Sequence, residues 1–124
     1  MTAVERVALL LDSGQIDTAV AAAMPALSAN IAAALGRGLD GEAGGMLVTH
    51  LALALARGRR GEPVQDLDPA LLEAEAATHP RERRLAGQVL DAAARRLGPL
   101  DLPAAEAAML ALHLARVAAE APPA

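Results

Sequence analysis

Two stretches of the chain repeat one another around its rarest reactive residue. MLVTHLA at residues 46–52 returns as MLALHLA at residues 109–115, with five of seven positions identical, and the copies centre on two of only 3 histidines, His50 and His113. In both copies the histidine follows a methionine by four positions and a leucine by three, so on a helix each imidazole stands over apolar neighbours one turn below it. A single histidine on an apolar helical stripe is more often a hydrogen-bonded structural group than a reactive one, but two in the same slot of a repeated segment point to a shared use. The chemistry open to them is nucleophilic. With an ordinary pKa of about 6.5, a neutral imidazole attacks phosphorus near neutral pH without a separate base to strip a high-pKa proton. The phosphoryl group so gained brings about −1.5 to −2 charges and several strong acceptor oxygens, a large change at an apolar seam.

The residues around the pair define its expected support. Arg116 lies one turn beyond His113 and Arg57 two turns beyond His50, where a guanidinium can pair with a phosphoryl oxygen or simply face water. Glu106 falls two turns before His113; capping the helix start is its first expected role and orienting a neighbour its second. His79, just before Pro80, has no counterpart in the repeat and is expected to cap a helix or lie exposed. Met24, Met46 and Met109 are expected to fill core gaps, because the chain has no aromatic residue to do so.

Other chemistries find little footing. The sequence contains no G-x-S-x-G elbow, no H-E-x-x-H pair and no glycine-rich phosphate loop after a strand, so neither an enzyme nor a bound cofactor is expected. With no cysteine there is no disulfide framework and no thiolate metal site, and the MLxxHLA setting supplies no third ligand to join two histidines around a metal.

Helices must position these residues. Thr2 and Glu5 form a T-x-x-E capping box ahead of Val7, Leu10 and Leu11, and Gly14 stops that first helix. Asp17 caps a second helix to about Leu35 that Pro25 bends or splits, and Asp40 caps a third to about Arg59 that carries His50. The polar stretch GRRGEPVQDLDP reads as the one substantial loop. Asp68-Pro69, His79-Pro80 and Leu102-Pro103 then open helices over about Ala70 to Ala77, Arg81 to Leu97 and Ala104 to Glu120, each proline standing where its missing amide hydrogen does no harm. No stretch alternates as a strand does, so the expected fold is all-α.

The 124 residues suit one domain, assigned to residues 1–121, with 122–124 as a tail. A composition 54% hydrophobic with 0% aromatic makes a core of Ala, Leu, Val, Ile and Met, thin per residue and helped by dimerisation. Net charge of −4 argues against a nucleic-acid surface, and the arginines, which make up all 11 basic residues, are expected on solvated faces or at helix ends. The N-terminus lacks a secretory pattern, and the uncharged run from Thr18 to Gly36 is broken by Pro25, Ser28 and Asn30. No membrane span is expected, and a cytoplasmic location is.

EAGGMLVTHLALALARGRRGEPV resembles the first histidine segment of PTS regulation domains, and LPAAEAAMLALHLARV is similar to the second, including the proline and Glu106 ahead of the histidine. Between them, LLEAEAATHPRERRLAGQVLDAAARRLG looks like that family's connecting helices, so the resemblance covers most of the chain. It implies a compact five- to six-helix bundle, a homodimer, in which His50 and His113 accept phosphoryl groups. The implied donor is the phosphocarrier protein of the bacterial sugar phosphotransferase system or a sugar-specific transport subunit. With neither an RNA-binding nor a DNA-binding module attached, signalling would pass to a separate regulator acting in trans. The competing expectation is a helical dimerisation scaffold whose two histidines are structural.

Overall fold

Six helices, α1 (Ala3–Asp12), α2 (Thr18–Leu35), α3 (Glu42–Arg60), α4 (Pro69–Ala76), α5 (Pro80–Leu97) and α6 (Ala105–Ala119), make up the computed structural model, which describes residues 1–62 and 68–120. No strand occurs among the described residues, so the fold is all-α with the expected number of helices. The centre of the long loop, 63–67, and the proposed tail, 122–124, lie outside the described residues.

Short polar side chains start three of these helices. Thr2 Oγ1 accepts from the Glu5 amide at 3.1 Å while Glu5 Oε1 accepts from the Thr2 amide at 3.1 Å, completing the capping box on α1. Asp17 accepts from the Val20 amide at 2.8 Å, and Asp68 accepts from the Leu71 amide at 3.1 Å with Pro69 as the first helical residue of α4.

The start of α3 departs from expectation. Asp40 does not cap it; its carboxylate accepts from the Ala3 amide at 2.9 Å, at the start of α1. Gly41 is the N-cap of α3, and the Ala43 amide is satisfied at 3.0 Å by Glu120, which arrives from the end of α6. A carboxylate distant in sequence thus replaces the local one, which only the assembled bundle permits. Pro25 does not split α2, which runs unbroken from Thr18 to Leu35. The proline removes one amide donor but leaves the apolar face continuous, and the packing of that face holds the helix together. Pro103 lies before α6 instead of inside it, and its carbonyl accepts from the Glu106 amide at 3.0 Å.

The buried side chains form one cluster built from stripes on the three longer apolar helices. Leu47, Leu51 and Leu55 of α3 recur every four residues and meet Leu110, Leu114 and Val117 of α6, while Val20, Met24, Leu27 and Ile31 of α2 close the other side. Full burial of one such side chain is worth about 1.5–3 kcal/mol. Alanines at the contacts, among them Ala52, Ala56, Ala108 and Ala111, let the axes approach closely. Gly44 has no side chain for a more local reason, because a Cβ there would collide with the Leu39 backbone in the turn that leads into α3. Helix α6 packs on α3, α4 and α5, whereas α3 packs on α1, α2 and α6, so the α3/α6 seam joins the halves of the chain together with the packing of α2 on α5.

Arginines tie helix ends together. Arg59 pairs with Asp17 at 3.0 Å and donates to the Leu97 carbonyl at 2.9 Å, Arg83 grips Glu73 with two bonds of 3.2 and 3.0 Å, and Arg37 donates to the Val117 and Glu120 carbonyls at the end of α6. By length and composition one helix among the described residues, Thr18–Leu35, is apolar enough to cross a bilayer, and its Val20, Ala23, Met24, Leu27 and Ile31 are packed in the core.

Gly87 sits inside α5 with room for a methyl group, since a Cβ there would meet only Arg83 Nη1 at 3.9 Å. Gly87→Ala is expected to stabilise the protein by about 0.4–1 kcal/mol by reducing the freedom of the unfolded chain, measured as a raised urea midpoint. A lowered midpoint would mean that α5 packs differently around this position.

Candidate functional site

The repeated segments place their histidines where α3 crosses α6. The leucines one turn before them, Leu47 and Leu110, are fully buried, but Met46 is 44% exposed and Met109 is half-buried. His50 and His113 therefore stand at the rim of the seam, with one flank on the core and the other toward solvent. Of the three methionines expected in the core only Met24 is fully enclosed. Met46 shares the face of His50 one turn away, and that face opens outward.

The two rings stack, with centroids 4.6 Å apart and planes inclined at 29°. His50 Nε2 lies 3.1 Å from Glu106 Oε2, and the Glu106 side chain is 5% exposed against 20% for His50. Among the described residues Glu106 is the one buried charged side chain. It does not cap α6, whose N-cap, Ala104, makes no side-chain cap bond. Two turns before His113, Glu106 lies on the stripe of α6 that faces α3, so its carboxylate crosses the seam to the other helix. Its place in the first helical turn also favours the negative charge.

A carboxylate only accepts hydrogen bonds, so the His50 nitrogen facing it carries a proton. His113 is held neutral. Burial pushes its pKa down to about 4, the neighbouring His50 and Arg116 push the same way, and Glu106 opposes them. The cluster thus sets one imidazole, kept neutral near neutral pH, against a second that is bonded to a buried carboxylate. Among the described residues no three ligating side chains gather where they could hold a metal ion.

The chain matches no protein-family model, no curated protein and no solved structure. What the site does must come from its own geometry.

Of the residues singled out in the sequence, His50, His113 and Glu106 are brought together. Arg116 is exposed beside them, and its charge bears on His113. Arg57 is half-buried toward the end of α3, and among the described residues its side chain makes no hydrogen bond or ion pair. His79 is the N-cap residue of α5 but makes no side-chain cap bond. The role of Glu106 was legible only in its spacing, as a carboxylate standing on an otherwise apolar stripe.

Proposed function

We propose that the chain is a phosphorylation-responsive regulatory domain of the sugar phosphotransferase system, resembling a PTS regulation domain, with His50 and His113 as its acceptors. The reading is carried by the meeting, at a solvent-facing rim, of two matched histidines, stacked on one another with Glu106 bonded to one of them. In the proposed step the Nδ1 lone pair of His50 attacks the phosphorus of a donor phosphohistidine on the phosphocarrier protein or a sugar-specific transport subunit. The donor P–N bond breaks, its imidazole leaves with the electron pair, and Glu106 stabilises the positive charge that develops on the His50 ring. Arg116 stands ready as a donor to the phosphoryl oxygens. The new charge at the α3/α6 seam would shift the packing of the two halves and pass the signal, through a homodimer in the cytoplasm, to a regulator.

Incubation with the phosphocarrier, its first enzyme and phosphoenolpyruvate, read by intact mass at alkaline pH, tests this. The expected result is the addition of a single phosphoryl group, because two groups of about −1.5 to −2 charges on rings stacked at 4.6 Å repel strongly. The signal should fall at least about tenfold in His50→Ala and vanish in the double variant with His113→Ala, a loss of about 1.4 kcal/mol or more in transfer. An unchanged mass with the carrier and with every transport subunit would leave the scaffold reading, in which the Glu106–His50 bond serves to fix the register of α3 on α6.

A further inference from the structure

The two histidines are repeated, but the charges beside them are not. Seven residues before His113 stands Glu106, where Ala43 stands before His50, and three residues after His113 stands Arg116, where Leu53 follows His50. The crossing of the helices then hands the carboxylate to the other ring. Glu106 Oε2 lies 3.1 Å from His50 Nε2, and among the described residues no carboxylate is bonded to His113. Two matched rings 4.6 Å apart thus sit in opposite electrostatic settings: His50 against a carboxylate 5% exposed, His113 beside the Arg116 guanidinium, which together with burial disfavours its charged form. Few other charges face His50. Helix α2 carries none, and on α1 Glu5 is turned to the capping box, Arg6 lies over Gly45 and Asp12 is exposed. On α3 itself Glu42 and Arg57 stand about two turns away on either side.

The difference acts on how long a phosphoryl group would stay. A group on Nδ1 leaves readily while the ring carries a proton on Nε2, because the ring then departs as neutral imidazole; without that proton it must depart as an anion. In the loss to water, the water oxygen bonds to phosphorus as the Nδ1–P bond breaks. The electron pair returns to Nδ1, Nε2 keeps its proton, and inorganic phosphate departs with a water proton released to solvent. A carboxylate against Nε2 favours the protonated ring, and an arginine near a ring disfavours it. Given that both histidines accept phosphoryl groups, as proposed above, we propose that Glu106 is a positioning residue that makes the group on His50 short-lived, whereas the group on His113, which no carboxylate holds protonated, persists. The pair would then combine a brief mark with a lasting one in a single site.

Potassium phosphoramidate, which phosphorylates histidine without a protein donor, separates this from the choice of donor. The protein carries His79→Gln throughout, removing the third histidine from a position where it makes no side-chain cap bond. After the reagent is removed, loss of the group is followed by intact mass between about pH 6 and about pH 9. At about pH 8 the group on His50, read in His113→Gln, should be lost at least about tenfold faster than the group on His113, read in His50→Gln. Adding Glu106→Gln to the former keeps a hydrogen-bond acceptor but removes the charge. It should slow the loss about tenfold and move the midpoint of its pH profile downward, with an unchanged circular dichroism spectrum. Equal lifetimes on the two histidines overturn the inference, as does a Glu106→Gln variant with the same rate and pH midpoint, or a His50 that takes up no group. Uptake from phosphoramidate with none from the phosphocarrier or any transport subunit would remove the donor named above and leave the comparison of lifetimes intact.

Discussion

Leu114→Ala is expected to destabilise the protein by about 2–5 kcal/mol and to lower its melting temperature by roughly 10–20 °C, whereas Leu9→Ala should change stability by less than about 0.5 kcal/mol. Leu114 is 0% exposed where α6 meets α3, and Leu9 on α1 is 58% exposed. Truncation at Leu114 removes apolar contacts and leaves a void that the alanine-rich helices around it are too short in side chain to fill. With total stabilities of small domains near 5–15 kcal/mol, this one change takes a large share. Equal melting temperatures for the Leu114→Ala and Leu9→Ala variants would show that Leu114 does not anchor the core.

The second large effect is a loss of stability on mild acidification. His113 titrates at about 4 in the folded protein and near 6.5 when unfolded, so between those values the unfolded chain binds the additional proton. Stability therefore rises with pH across that window and falls as the pH drops from about 6.5 toward 4. At about 1.4 kcal/mol per pH unit the full gap would be worth about 3 kcal/mol for an enclosed ring; for a half-exposed ring screened by water, about 1–2 kcal/mol is expected. Urea midpoints measured at pH 7 and pH 4.5 should show the loss, and His113→Gln, which cannot charge, should flatten it. A wild-type profile already flat over this range would mean that His113 protonates freely in the fold. Carboxylates act lower on the scale. Asp17, held below the ordinary range first by the Val20 amide and then by Arg59, and Glu73, held down by Arg83, withdraw their support only as the pH falls through and below about 4.

The helical class and half of the helix starts were written locally. Thr2 with Glu5, Asp17, and Asp68 with Pro69 act within three or four residues, so short-range chemistry settles where α1, α2 and α4 begin. The spacing of Leu47, Leu51 and Leu55 likewise marks the buried face of α3 before any partner is known. The repeat around His50 and His113 named both histidines, because a rare residue returning to the same slot is visible without a fold.

What only the tertiary structure decided is which groups meet across helices. Spacing along α6 allowed Glu106 either to cap its own helix or to reach outward, and the crossing of α3 over α6 selected the second by bringing His50 within 3.1 Å. The same crossing stacks two imidazoles that lie far apart in the chain and lowers the pKa of one of them. Glu120 takes the duty expected of Asp40 for a like reason: the distant end of α6 reaches the first amides of α3, and the local acid turns to the start of α1. Periodicity determines which face of a helix is buried. The partner of a polar group on that face is set by the packing of one helix on another, and local sequence does not encode it.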